Sequence, residues 1–476
     1  MTRAVVLGGG LAGVLAAAVL VRHAGEVVLV ESDDYPRGPE PRRGLPQSRH
    51  SHVLVTGGAR ALEKLLPGTL AELFARGAHL RGLPGDALVL AAQGWFHRLD
   101  TGASLVSCGR GLLDQVVRER ALPGVTVLTG TRALGLAGDR RRVTGAVVET
   151  RDGRARTIGA DLVVDATGRR SKAPRWLAAI GAAEVEEVTV SSGLAYSTRL
   201  YRAPAALTTG MAPGMAIGMP AVMVHPRPVA GRAGQGATLF PIEGGRWIVT
   251  LTGTRGGEPP VDERGFTAFA RALRSPIVAD LMAAATPLGG VRPYRDTANR
   301  RRYFERAALP AGFLAIGDAV CALNPVHSHG MSVAALSALR LDAELARHGT
   351  DPTALTAAQA AVAAETDPSW HLALAQDEPR GGGQGGGREA SAFQREILAR
   401  RSRALLSSPE LAAGFFCAQA LIPAPPADGA AVARALTGEP APPLTTEEAI
   451  AQFPALHAWW SASATPARAG GEPIRR

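Results

Sequence analysis

Lysine is nearly missing from this chain. Lys64 and Lys172 are the two lysines among 52 basic residues, so the net charge of +10 over 476 residues rests on arginine. The arginine runs at 140–142 and 300–302 are short, far apart and not interleaved with aromatic residues. They lack the continuous basic groove that a nucleic acid requires, and no nucleic-acid partner is expected. Cysteine is scarce too. Cys108, Cys321 and Cys417 are too few and too scattered for a disulfide framework or a metal knuckle, and the cytoplasm is the expected compartment. The apolar run at 4–21, AVVLGGGLAGVLAAAVLV, has almost no polar residue. No cleavage region follows it, because Arg22 and His23 lead straight into a second apolar run at 26–31. Three glycines in one turn also weaken a spanning helix, so neither a signal peptide nor an integral membrane span is expected.

What is present is an ordinary folded composition. Hydrophobic residues at 46% and charged residues at 20% suit a large core, and the length suits two or three structural layers or domains. The first apolar run resolves into a strand at 4–7, a turn at Gly8-Gly-Gly10-Leu-Ala-Gly13, a helix to about residue 23 and a strand at 27–30. This is a βαβ opening with glycines in G-x-G-x-x-G register. Gly8 makes the tight turn, Gly10 lets backbone approach a pyrophosphate, and Gly13 lets the helix pack close to the strand. Glu31, 18 residues after Gly13, is positioned to accept hydrogen bonds from a ribose hydroxyl pair. The segment predicts a dinucleotide site, and an acid there favours a free ribose over a 2′-phosphate.

Two later segments repeat the pattern of an apolar strand ending in a polar turn. Residues 160–171 read ADLVVDATGRRS, and residues 312–332 read GFLAIGDAVCALNPVHSHGMS before an Ala/Leu helix at 332–345. The second strand delivers Gly317 and Asp318 to its C-terminal end, where a carboxylate can bind a ribityl hydroxyl. A second helix N-terminus follows at 330–332.

With the G-x-G-x-x-G opening, the DATG turn and the GDA…NP….GM segment, the chain resembles the FAD-dependent aromatic hydroxylase and epoxidase superfamily over residues 3–350. Within it, GLPQSRHSH at 44–52, DATGRRS with Trp176-Leu177, and NP….GMS look most similar to bacterial epoxidases and hydroxylases of polyketides and terpenoids. The resemblance implies an α/β (α+β overall) fold of the p-hydroxybenzoate hydroxylase type. In it a glutathione-reductase-type Rossmann FAD domain is interrupted by a largely antiparallel substrate-binding sheet, and helices close the C-terminus. The FAD domain is expected at 1–79, 101–180 and 300–350, the substrate sheet at 80–100 and 181–299, a helical region at 351–462 and a disordered tail at 463–476. The resemblance assigns Gly8, Gly10, Gly13 and Glu31 to the ADP half of FAD and Arg110 to the flavin phosphates. It assigns Gly317 and Asp318 to phosphate-adjacent or ribityl groups, and Pro325, Gly330 and Met331 to the isoalloxazine. Asp165 and Gly168 match the turn that bridges FAD and reduced nicotinamide in relatives.

The activity this implies is monooxygenation: epoxidation or hydroxylation of a bulky lipophilic specialised metabolite through a flavin C4a-hydroperoxide. Molecular oxygen is the co-substrate, and NADPH, NADH or a partner flavin reductase is the electron donor. A flavin-dependent reductase or dehydrogenase is the alternative, and a non-redox cyclase or flavin-binding scaffold with His329 as acid-base is another. Halogenation is disfavoured because the WxWxIP motif is absent. Relatives read closer to NP-x-x-G-Q-G-M, so Ser328 and His329 replace a Gly and a Gln beside the flavin. Ser328 is then strained if the turn needs positive φ, and His329 and His327 are the candidate catalytic residues. No metal is expected, since His327 and His329 lack neighbouring ligands and a contact with His50 and His52 cannot be derived. Short alternating stretches at 194–200, which includes Tyr196, and at 246–251 read as the substrate sheet. Met211, Met215, Met219 and Met223 recur there, and Met215, Met219 and Met223 share one face as extended chain, a soft apolar wall for substrate or ordinary core. Beyond residue 350, a glycine-rich loop at 381–387 precedes helices at 389–406 and 409–421 and a short helix capped by Thr445 or Thr446.

Overall fold

The computed structural model describes residues 2–208, 219–227, 229, 231–351, 354–377, 399–439 and 441–463. One layer is a five-stranded parallel sheet. Its strands are β1 (Arg3–Leu7), β2 (Glu26–Val30), β3 (Thr126–Leu128), β4 (Leu162–Asp165) and β5 (Phe313–Ala315), in the order β5-β4-β1-β2-β3. Strands such as Val5-Val6-Leu7 are apolar without alternation because both faces are covered. Helix α1 (Leu11–Leu20) follows β1, α2 (Arg110–Ala121) enters from the strand Ser104–Ser107, and α3 (Gly330–His348) follows β5. Leu15, Leu20, Leu112, Val116, Ala335 and Leu341 from these helices share one core with Val6 and Leu29.

The second layer is a seven-stranded sheet. Its order is Thr286–Tyr294, Ala195–Arg202, Arg246–Gly253, Gln235–Ile242, Ala221–Val224, Ala87–Ala91, Gly94–Trp95. All pairs are antiparallel except Ala221–Val224 with Ala87–Ala91. Period-two alternation sorts its side chains. Trp247, Val249, Leu251, Val222 and Val224 face an outer core completed by Phe266, Ile277 and Leu456. Ile248, Phe240 and Ala221 face inward, against Val53, Val55 and Phe416 of α4 (Pro409–Gln419).

The expected common face of Met219 and Met223 does not form. Met219 is buried in the outer core, whereas Met223 packs beside the inner one. Pro220 lies between Met219 and the strand Ala221–Val224, whose alternation governs Met223 alone. Met211, Met215 and the glycine run at 381–387 lie outside the described residues. The short C-terminal helix Thr446–Ala451 is capped by Thr445, whose hydroxyl accepts from Glu448 N while the Glu448 side chain reaches back to Thr445 N, a capping box. Of the expected tail, only Ser463, the last residue of helix Pro454–Ser463, is described.

Candidate active site

A cleft of about 450 Å³ runs along the C-terminal ends of the parallel strands and reaches the edge of the seven-stranded sheet. Its first wall is the turn between β1 and α1. Gly8 has φ +97° and donates its N–H to Val30 O at 2.8 Å. A Cβ on Gly13 would lie 1.8 Å from Gly8 O, so the third glycine is what allows α1 to sit against the turn. Gly10 is the N-cap of α1, and a Cβ there would meet nothing within 4 Å, because that side opens to the cleft.

Glu31 ends β2 with both carboxylate oxygens engaged. Oε2 accepts from Gly9 N at 2.7 Å and faces Arg42 Nη1 at 3.2 Å. Oε1 accepts from Asp33 N at 2.8 Å and Ser32 Oγ at 3.0 Å. The acid is buried and locked to the glycine turn by these charge-assisted hydrogen bonds. Arg110 opens α2, lines the same cleft, and pairs with Asp114 at 2.8 Å. It is thus both a cleft residue and half of a buried ion pair.

The second wall is built from the β4 and β5 turns. Gly168, at φ +81°, lines the cleft with Arg169 and Arg170. Asp165 does not reach it. That carboxylate is fully buried and accepts from Thr167 N at 3.0 Å, Thr167 Oγ1 at 2.6 Å and Ser171 Oγ, so it holds the turn together from inside. Gly317 also stays off the cleft. Its φ is +64°, and a Cβ would lie 2.5 Å from Ala12 Cβ, so its job is close contact with α1. Asp318 does line the cleft, and its carboxyl accepts no hydrogen bond from the described residues. Burial pushes its pKa up, opposed by the Arg169 and Arg110 guanidinium groups. Gly330, at the N-terminus of α3, leaves a built Cβ 3.6 Å from Asp318 Oδ1. Pro325, Ser328 and Met331 complete this wall.

The loop between them carries the largest departure from expectation. Ser328 adopts φ 57° and ψ 18°, the left-handed region anticipated for this turn. Beyond that bend His329 turns away from the cleft, and its Nε2–H donates to Gln419 O of α4 at 2.9 Å. Burial lowers its pKa to about 4, so the ring is neutral and Nδ1 carries a lone pair with no partner among the described residues. His327 is buried and also stays out of the cleft. Neither His327 nor His329, the candidate catalytic residues, is among the residues that line the cleft. The physical reason is the left-handed bend at Ser328 together with the Gln419 carbonyl, which captures the ring.

His50 and His52 do not join them. His50 Nδ1 meets Thr198 Oγ1 at 2.8 Å, and His52 Nδ1 donates to His50 O at 2.8 Å. Among the described residues no three His, Cys, Asp or Glu side chains gather as a metal site. His52 lines the cleft, and burial next to Arg110 lowers its pKa to about 3; with Nδ1 committed as donor, its Nε2 is an acceptor. Tyr196 sits behind the cleft. It donates its OH to Asn324 Oδ1 at 2.8 Å and stacks on Tyr294, which does line the cleft. Met219 and Met223 are not in the lining either. Sequence reasoning left Arg42, Ser51, His52, Arg169 and Tyr294 without a site role. The visible signals were GLPQSRHSH at 44–52, which contains Ser51 and His52, and DATGRRS, which contains Arg169; both carried the resemblance without assigning these residues a role.

The family model for FAD dependent oxidoreductase matches residues 4–171. The Mycobacterium tuberculosis protein Rv3254 is 30% identical over 389 residues, covering 78% of each chain. This chain is an FAD-dependent oxidoreductase. The kynurenine 3-monooxygenase of Salinispora tropica is 28% identical over 402 residues, with 79% of this chain and 80% of the relative covered. Among solved structures, p-nitrophenol 4-monooxygenase PnpA from Pseudomonas putida superposes with a TM-score of 0.61 at 17% identity over 87% of this chain and 97% of that one. That likeness concerns the fold. No helix among the described residues of this flavoprotein is long and apolar enough to cross a membrane.

Proposed function

We propose that this FAD-dependent enzyme epoxidises or hydroxylates a bulky lipophilic specialised metabolite in the cytoplasm, with its substrate between the α3 N-terminus and the inner face of the seven-stranded sheet. The observation that carries the reading is one cleft onto which two glycine turns and two helix N-termini open, floored at one end by a separate sheet. The residues fit the cofactor. Gly8, Gly10 and Gly13 bring the N–H groups of α1 to a pyrophosphate without side-chain interference, and Glu31 stands at the ribose end. Arg110 supplies charge toward the phosphates, and the Asp318 carboxylate, with no hydrogen-bond donor among the described residues, accepts ribityl hydroxyls. Pro325, Gly330 and Met331 flank the ring, with the α3 N-terminus aimed at it. Gly168 leaves open the side from which a reduced nicotinamide approaches, while Asp165 acts through the fold of its turn.

When bound, reduced FAD supplies activated molecular oxygen for transfer to an electron-rich carbon. The protein's part is position and dryness. Residues 80–100 and 181–299 form the sheet whose edge residue Tyr294 lines the substrate end of the cleft, and residues 1–79, 101–180 and 300–350 hold the cofactor. NADPH, NADH or a partner flavin reductase delivers the electrons.

The test is a visible spectrum of the purified protein, bleaching by NADPH and NADH, and product formation under heavy oxygen gas. The reading requires bound FAD and one labelled oxygen in the product. Unlabelled, desaturated or reduced product would replace it with a dehydrogenase or reductase.

A further inference from the structure

The segment leading into the strand Val53–Val55 carries a feature outside the cofactor roles assigned above. Ser51 lines the cleft, and its Oγ lies 2.8 Å from Thr250 Oγ1. Thr250 Oγ1 lies 2.8 Å from Thr198 Oγ1, its cross-strand partner on the inner face of the sheet. Thr198 Oγ1 lies 2.8 Å from His50 Nδ1. Three hydroxyls thus form an unbroken file from the cleft to a buried imidazole, which rests beside the rings of Tyr294 and Tyr196.

Proton counting restricts such a file to two states. If His50 Nδ1 accepts, Thr198 donates to it, Thr250 donates to Thr198, Ser51 donates to Thr250, and Ser51 meets the cleft as an acceptor. If His50 Nδ1–H donates, every hydroxyl reverses and Ser51 meets the cleft as a donor. Burial lowers the His50 pKa to about 4, so the ring is neutral near pH 7 and has one tautomer for each state. Both ends of the file are therefore satisfied in either direction, and successive hydrogen bonds polarise one another.

We infer that Ser51 is a substrate subsite for a single oxygen function, hydroxyl or carbonyl, and that the Thr250–Thr198–His50 file sets its polarity to match. The substrate is accordingly lipophilic but already oxygenated, and a purely hydrocarbon molecule leaves the subsite unanswered. The inference rests on the cleft being the substrate site of the proposed monooxygenase. A phenolic hydroxyl, a much better donor than acceptor, drives His50 to the Nε2–H tautomer, and a ketone, which can only accept, drives it to Nδ1–H. No net proton leaves the protein, since each hydroxyl gives one hydrogen bond and takes one.

The experiment uses the FAD-loaded enzyme with 2-naphthol, 2-acetonaphthone and 2-methylnaphthalene as probes, read by nitrogen NMR of the His50 ring and by perturbation of the flavin spectrum. The two oxygenated probes are expected to shift the His50 tautomer in opposite directions and to bind about tenfold tighter than the hydrocarbon. Thr250→Val leaves Ser51 in place but cuts the file, so the opposite shifts vanish and the preference drops below about threefold. Ser51→Ala removes the preference itself. Absent shifts, shifts in the same direction, or opposite shifts that survive Thr250→Val overturn the subsite. Product without label from heavy oxygen sinks the monooxygenase reading instead, and leaves the tautomer result standing on its own.

Discussion

The turn at Gly8–Gly13 and the loop at Asn324–Met331 sit on opposite walls of one cleft, each ahead of a helix N-terminus, and they reach that geometry by different means. In the first, glycine takes the positive φ, and the neighbouring acid is tied to the turn within 22 residues of sequence. In the second, a serine takes the positive φ, and the next residue is tied to a carbonyl 90 positions away. The first turn is self-contained. The second depends on the C-terminal helix α4 being docked, so the geometry beside the ring is coupled to a part of the chain that never touches the cleft.

Mutations can break that contrast, beginning with the most severe. Gly13→Ala places a methyl where Gly8 O already is, and at least about 3 kcal/mol of stability should be lost, with FAD retention, as seen by thermal unfolding and visible absorbance. Gly10→Ala, in the same turn, has open space around it. It should hold apoprotein stability within about 0.5 kcal/mol yet weaken FAD about tenfold, because the methyl intrudes on the ligand alone. Equal damage from both substitutions would mean that the cleft side of Gly10 is not where the dinucleotide lies.

A smaller effect separates the second loop. His50 and His329 titrate near 4 and His52 near 3 in the folded chain, all below the ordinary 6.5, because burial disfavours the imidazolium. The unfolded chain then binds protons that the native one refuses. Their contribution is complete above about pH 6.5 and is lost as pH falls toward 4, so denaturation midpoints should drop over that interval. His329→Gln should flatten part of this slope and cost about 1 kcal/mol through the weakened tie to Gln419, with the FAD spectrum unchanged. A changed flavin spectrum in that variant would return the histidine to the cleft. Smallest of all, Ser328→Gly should raise stability by up to about 1 kcal/mol by relieving the left-handed serine.

The same contrast explains what could be read in advance. Gly8, Gly10, Gly13 and Glu31 were legible because strand, turn, helix and acid are contiguous, and each residue type answers a local constraint. The directions of Asp165 and His329 were not legible for one reason: sequence locates a side chain on a loop but not on which side of it. Asp165 points under its own turn toward Ser171, and His329 points toward the distant helix α4. Ser51, Thr198 and Thr250 are unremarkable singly, and their file exists through contacts spanning 52 to 199 positions. The alternation at 194–200 and 246–251 predicted strands, yet it could not tell that Thr198 and Thr250 are direct cross-strand partners. Met219 fell on the wrong layer because Pro220 resets the register before the strand starts.

The order of the parallel sheet has a consequence for the chain as it is made. β1 is made long before β5, but β4 is flanked by β1 on one side and by β5 on the other, and β5 ends at Ala315. Until that point is translated, the Leu162–Asp165 edge has unpaired backbone groups and an apolar surface. Five of the seven strands of the second sheet, from Ala195–Arg202 to Thr286–Tyr294, are synthesised in that interval. These strands therefore emerge beside an open edge that accepts strands, and loops of this length close slowly. The parallel sheet is thus opened before the strands of the second sheet are made and closed after them, and timely pairing of a three-residue strand, Phe313–Ala315, bears on whether the newborn protein closes its sheet or aggregates through it.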